Sequence, residues 1–266
     1  MKINSLKYSA KSGKFMKLEN NSLAINSILI AISTALISTI LHESAHYLVA
    51  KYFNLNPELH HNYVRPLIEP SEKQLMLLAL AGPVFSLIIG ITFLFLAIKL
   101  IKPSLFKLFL LWFGMSNILN FLGYMLIAPF IKDGDTGLVF NYFKIPFFIS
   151  IIIAVITFMV MKKLFHYLAK EFIYYKNAAL FDKKENQKQL FIYPIVFLIV
   201  GVTLLNLPIE VWYSILPTIF VPMTYKSTLT TYKKLEIIDA EVTINKISIP
   251  LFILTIMAII IFRNLI

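Results

Sequence analysis

The chain has 266 residues, 58% of them hydrophobic, a mean hydropathy of +0.76 and a formal net charge of +11. That apolar content excludes an ordinary soluble globular domain and a sizeable soluble module, and the absence of cysteine excludes disulfides and thiolate metal ligands. The lysines sit beside apolar stretches, where cations meet anionic headgroups and set topology, so the charge argues for a lipid bilayer as partner and against nucleic acid.

Residues 1–22 form a basic N-terminal extension carrying Lys2, Lys7, Lys11, Lys14 and Lys17. It resembles a signal peptide, but cleaving the apolar run behind it would discard the most informative helix of the chain, so the extension is expected to be retained. A first span is expected over 23–53, with His42-Glu43-Ser44-Ala45-His46 near its C-terminal end and therefore off the bilayer centre. Residues 54–73, with Pro57, His60, His61, Arg65, Pro66 and Pro70, read as a loop or extended segment near the surface. A second span covers 74–101 and is interrupted by Gly82-Pro83, where proline removes a backbone donor and glycine permits close approach.

A third span, 105–131, contains Gly114, Ser116, Asn117, Asn120 and Gly123 and ends in Lys132-Asp133-Gly134-Asp135-Thr136-Gly137. Two carboxylates at membrane depth require a polar cavity or a metal. A fourth span, 145–161, leads into a basic loop over 162–188, in which His166 reads as headgroup-facing. The fifth span covers 190–207. Pro208, Pro217 and Pro222 then cut the next apolar stretch into re-entrant or broken pieces, with Glu210, Trp212 and Tyr213 starting an interfacial helix. Residues 224–246 suggest a small extramembrane hairpin, and a sixth span over 249–262 ends at Arg263. The expected fold is thus an all-α polytopic membrane bundle of about six spans, with a bacterial cell membrane as the expected location. Residues 23–144 would form its core and 145–266 its additional spans.

The chemistry is carried by H-E-x-x-H. Residues four apart share a helix face, so His42 and His46 can offer imidazole nitrogens to one metal. From the next position Glu43 reaches a water on that metal without being a ligand, and serves as general base. Ionisable side chains inside a membrane helix cost about 2.5–3.5 kcal/mol each on insertion scales, so three within five residues mark function. Two imidazoles and one carboxylate leave an open fourth position, as catalytic zinc sites require, and zinc is the default metal.

These residues resemble the site-2 protease family of intramembrane zinc metalloproteases, whose three-span core bears H-E-x-x-H, an Ala-Gly-Pro element and an Asp-Gly. All three occur in order, as His42 to His46, Ala81-Gly82-Pro83 and Asp133-Gly134. The resemblance implies one zinc ion held by His42, His46 and Asp133, with Glu43 as base. Asn120, Gly82 and Pro83 would hold the unwound backbone of a membrane-protein or membrane-associated peptide substrate. It covers residues 23–144 only. The family writes its third element as Asn-x-x-Pro-x-x-Pro-Leu-Asp-Gly, whereas here Asn120 is followed by Gly123 and the only proline before the acid is Pro129. Asn117 is the alternative to Asn120. Asp135 rivals Asp133, which is favoured because glycine follows it; Asp135 with Thr136 would otherwise cap the next helix. His60 and His61 are further candidates for reaching back over the metal.

Two guides to orientation disagree. Lysine counting puts the N-terminus and 162–188 in the cytosol and the metal outside, whereas the resembled family places its metal nearer the cytosol. The non-protease alternatives are a catalytically inactive scaffold of the same type and a metal-ion transporter.

Overall fold

The computed structural model describes residues 21–177, 182–208, 211, 216–236 and 242–265. The basic residues 1–20 and the expected interfacial Glu210, Trp212 and Tyr213 lie outside that set.

Helix α1 (Ser22–Tyr52) is followed by a two-stranded antiparallel hairpin, β1 (Pro57–Leu59) and β2 (Val64–Pro66). Helix α2 (Glu72–Phe95) continues through a wider π turn to Leu100. It starts at a capping box, in which the Ser71 hydroxyl accepts from the Gln74 N–H and the Gln74 side chain accepts from the Ser71 N–H. Helix α3 (Leu105–Ile127) is capped by Ser104, and a tight turn leads to the short α4 (Asp135–Tyr142). Helix α5 (Phe147–Leu168) runs on as a 3-10 turn to Phe172 and into strand β3 (Tyr175–Asn177). The short α6 (Lys183–Gln187) joins through a π turn to α7 (Tyr193–Leu205). After it come α8 (Leu216–Lys234), β4 (Val242–Ile244) and α9 (Ile249–Asn264).

Among the described residues five helical stretches are long and apolar enough to cross a membrane: Ser22–Tyr52, Glu72–Leu100, Leu105–Ile127, Phe147–Phe172 and Lys183–Leu205. The expected sixth, α9, has 16 residues, about 24 Å of helix against a hydrocarbon core of about 30 Å. Two other expectations are corrected. The basic loop over 162–188 is largely helical, because the apolar repeat of α5 carries on to Leu168 and Lys183 already opens α6. The first part of 224–246 is also helix rather than hairpin: α8 runs to Lys234, and β4 pairs in parallel with the distant β3.

Helix α1 is the axis of the bundle and packs against α2, α3, α7 and α9. Its N-terminal end is fastened to the β3–β4 end of the molecule, where Ser22 Oγ donates to the Ile244 carbonyl and Asn26 Nδ2 to the Lys246 carbonyl. At the same end the Tyr175 hydroxyl donates to the Ser104 carbonyl, and the buried Lys107 pairs with Glu171 at 2.7 Å. The C-terminal end of α1 meets the β1–β2 hairpin, and α4 packs on α2 and α3. H-E-x-x-H therefore lies toward the end of the bundle away from β3 and β4.

Candidate metal centre

His42, Glu43 and His46 are all buried, at 2%, 4% and 4% exposure. The helical repeat puts both imidazoles on the face of α1 that meets α2, where their Nε2 atoms lie 3.1 Å apart. The third group is Asp135, whose Oδ2 is 2.9 Å from His42 Nε2 and 3.3 Å from His46 Nε2. For ligand bonds of about 2.0–2.1 Å the edge of a tetrahedron is about 3.3 Å, so the triangle has the size a zinc-like ion requires. Among the described residues this is the one group of three His, Asp or Glu side chains close enough to share a metal ion.

The aspartate expected here was Asp133; the structure brings Asp135 instead and leaves Asp133 exposed. The reason is local. The chain turns sharply between Ile131 and Gly137, and a Cβ on Gly137 would lie 2.0 Å from the Ile131 carbonyl oxygen, so only glycine lets the turn close. Thr136 Oγ1 donates to the Tyr124 carbonyl at 2.6 Å and pins the start of α4 to α3. Gly134 is the residue before the helix, which makes Asp135 its first residue and aims its carboxylate at α1. The side chain does not cap α4.

Outer contacts orient both rings. His46 Nδ1 donates to the Leu78 carbonyl at 2.7 Å; a carbonyl only accepts, so the proton sits on Nδ1 and the Nε2 lone pair faces the site. His42 Nδ1 lies 3.0 Å from Ser86 Oγ, and the ring is stacked on Tyr124 at 5.3 Å. Two nitrogen lone pairs and a carboxylate oxygen within about 3 Å of one another repel unless a cation lies among them. When the imidazoles carry protons in place of a metal, burial still works to raise the Asp135 carboxyl, but the charge and N–H groups of His46 and His42 outweigh it and keep the group ionised. The carboxylate form is the one a metal binds. Glu43 stands within electrostatic reach of both His46 and Asp135.

Gly82, expected to permit close approach and to hold substrate backbone, stands directly against both imidazoles. A Cβ there would lie 2.3 Å from His46 Nε2 and 2.7 Å from His42 Nε2, so the missing side chain leaves the space an ion needs. Pro83, buried beside it, contributes no N–H to this turn of α2. Asn120 is half-buried on α3. Asn117 is fully buried and its amide donates to Ser38 Oγ at 2.8 Å and to the Phe113 carbonyl at 2.9 Å, which ties α3 to α1. His60 and His61 lie at the hairpin tip, the first stacked on Tyr63 and the second edge-on to Phe262.

Sequence reasoning missed Ser86, the Leu78 carbonyl, Tyr124 and Thr136. Only Ser86 carried a usable signal, one helical turn beyond Gly82 on the same face. No family model, no curated protein and no solved structure matches this chain.

Proposed function

We propose that the protein is an intramembrane zinc metalloendopeptidase of the site-2 protease type, hydrolysing a peptide bond in or beside the membrane segment of a substrate protein or peptide. The observation that carries this reading is the convergence of His42, His46 and Asp135 on one point with Glu43 adjoining. Two imidazoles and a carboxylate leave a fourth coordination position open, the arrangement of catalytic rather than structural sites. Bound there, zinc supplies Lewis-acid polarisation and acidifies a water molecule.

The chain's own residues do the rest. Ser86 and the Leu78 carbonyl keep both rings in the ligating orientation. Glu43 takes a proton from the attacking water and returns it to the departing amine nitrogen. An apolar groove of about 660 Å³ between α1 and α2 passes Ser44, Ala45 and Ala81, next to the metal residues, and gives a membrane-embedded segment a seat. The β1–β2 hairpin has only two strands, so extended backbone can add to its edge. Asn120 and Pro83 are assigned to the substrate backbone.

The test compares native protein with Glu43→Gln for metal content and for cleavage of membrane-spanning substrates. Zinc stays bound, and cleavage falls by about 10²–10⁴-fold, the range of a lost general base. Equal cleavage by both forms would refute the assignment, and metal flux without proteolysis would replace it with a transporter.

A further inference from the structure

A second polar cavity, independent of the metal centre, lies toward the β3–β4 end of the molecule. There α5 and α8 run side by side around a space of about 490 Å³, within the usual range of ligand sites. Lys162 and His166 enter it from α5, and Lys226 and Lys234 from α8. The spacing builds it: 162 and 166 are one turn apart on one helix, and 226, 230 and 234 are successive turns on the other. Three lysines and one histidine thus face one gap.

The crossing is fixed by hydroxyls. Ser227 Oγ donates to the Lys162 carbonyl at 2.9 Å, Thr228 Oγ1 donates to the Phe165 carbonyl at 3.0 Å, and Thr231 Oγ1 lies 2.6 Å from His166 Nδ1. Among the described residues no carboxylate lines the cavity. Lys107 and Lys188 each have an acidic partner, whereas among the described residues no salt bridge reaches Lys162, Lys226 or Lys234. Clustered like charges repel, and an anion relieves them.

The remaining wall is apolar, made by Phe158 and Met161. Along α5 the stripe Val155, Met159, Lys162, His166 changes from exposed apolar to polar within about three turns. That is the profile of a helix leaving hydrocarbon for the headgroup layer. We propose that this cavity binds an anionic phospholipid, its phosphate among Lys162, Lys226 and Lys234 and the start of an acyl chain against Phe158 and Met161. A soluble phosphate gains nothing from the apolar wall. A zwitterionic lipid brings its own cation into a gap already crowded with them.

The test uses the full-length chain in neutral detergent, titrated with phosphatidylglycerol or phosphatidylcholine and read by native mass spectrometry. Inorganic phosphate and glycerol 3-phosphate serve as competitors. Native protein prefers phosphatidylglycerol by about tenfold or more. Lys162→Gln with Lys226→Gln abolishes the preference and the corresponding arginine pair keeps it. Lys163→Gln with Lys170→Gln removes the same charge outside the cavity and keeps the preference within about twofold. Equal loss from the two glutamine pairs would reduce the effect to diffuse surface charge and overturn the site. Displacement of the lipid by inorganic phosphate at matched concentration would overturn the lipid in favour of a soluble anion.

Discussion

Helices α1 and α5 are almost equally apolar over their best windows, with mean hydropathies of 2.0 and 2.2, yet 56% of the first window is buried and 22% of the second. Apolarity puts both in a membrane and does not say which stands at the centre. The difference lies in the minority residues. Helix α1 buries Ser22, Asn26, Ser27, Ser33, Thr34 and Ser38, while α5 exposes Ile152, Val155, Ile156, Met159 and Val160. Small side chains let neighbouring backbones approach. Ser33 Oγ and Thr34 Oγ1 donate to carbonyls one turn back, at 2.7 Å each, so burying these hydroxyls leaves them paired. The helix that surrounds itself with protein can hold two imidazoles and a carboxylate away from lipid; the lipid-facing helix cannot.

The largest expected effect tests where that close approach matters most. Gly82→Ala places a methyl group in the space facing both Nε2 atoms and is expected to abolish metal binding. Gly201→Ala on α7 adds a methyl whose nearest neighbour is Ile32 Cδ1 at 3.8 Å, and is expected to leave metal content and thermal midpoint unchanged. Full metal occupancy in the first variant would mean that the rings converge elsewhere. Next in size, Asp135→Asn should weaken metal affinity by more than about 100-fold, beyond the range for outer partners, while Asp133→Asn stays within about threefold. Competition against a chelating dye reads both.

Ser86→Ala should cost about 10–100-fold in metal affinity, the range for an outer hydrogen bond to a ligating histidine, with the fold intact. Metal affinity unchanged in that variant would show that Tyr124 stacking alone sets the His42 ring. The smallest pair returns to α1 and α5. Asn117→Ala removes the tie to Ser38 and should cost about 1–3 kcal/mol in denaturant unfolding. Ile152→Ala on the lipid-facing side should stay within about 0.5 kcal/mol. Equal losses would mean that burial does not separate the two helices.

Much of this was legible in the residues. Hydropathy located the first three long helices within about four residues, because length and apolarity are summed properties, whereas the lysines of 162–188 hid the C-terminal part of the fourth stretch and the start of the fifth. The periodicity of four in His42 and His46 put them on one face, because an α-helix has a single geometry. What failed was whatever depended on a turn. Choosing between Asp133 and Asp135 requires the direction in which the chain leaves α3, and that is set by the Ile131 carbonyl beneath Gly137 and by Thr136 bound to the Tyr124 carbonyl. Neither contact leaves a periodic trace. The parallel pairing of β3 with β4 was equally hidden, since it joins residues far apart in the chain through strands of three residues.

Two of the three converging groups ride on one rigid helix, and the third arrives on a turn that Thr136 Oγ1 ties to the Tyr124 carbonyl and Asn141 Nδ2 ties at the Lys132 carbonyl. Ion occupancy and the ordering of that turn are therefore one equilibrium seen from two sides. Anything that loosens residues 131–137 acts as a release valve for the metal while the imidazole pair stays in place, and amide exchange in that turn becomes a direct gauge of loading.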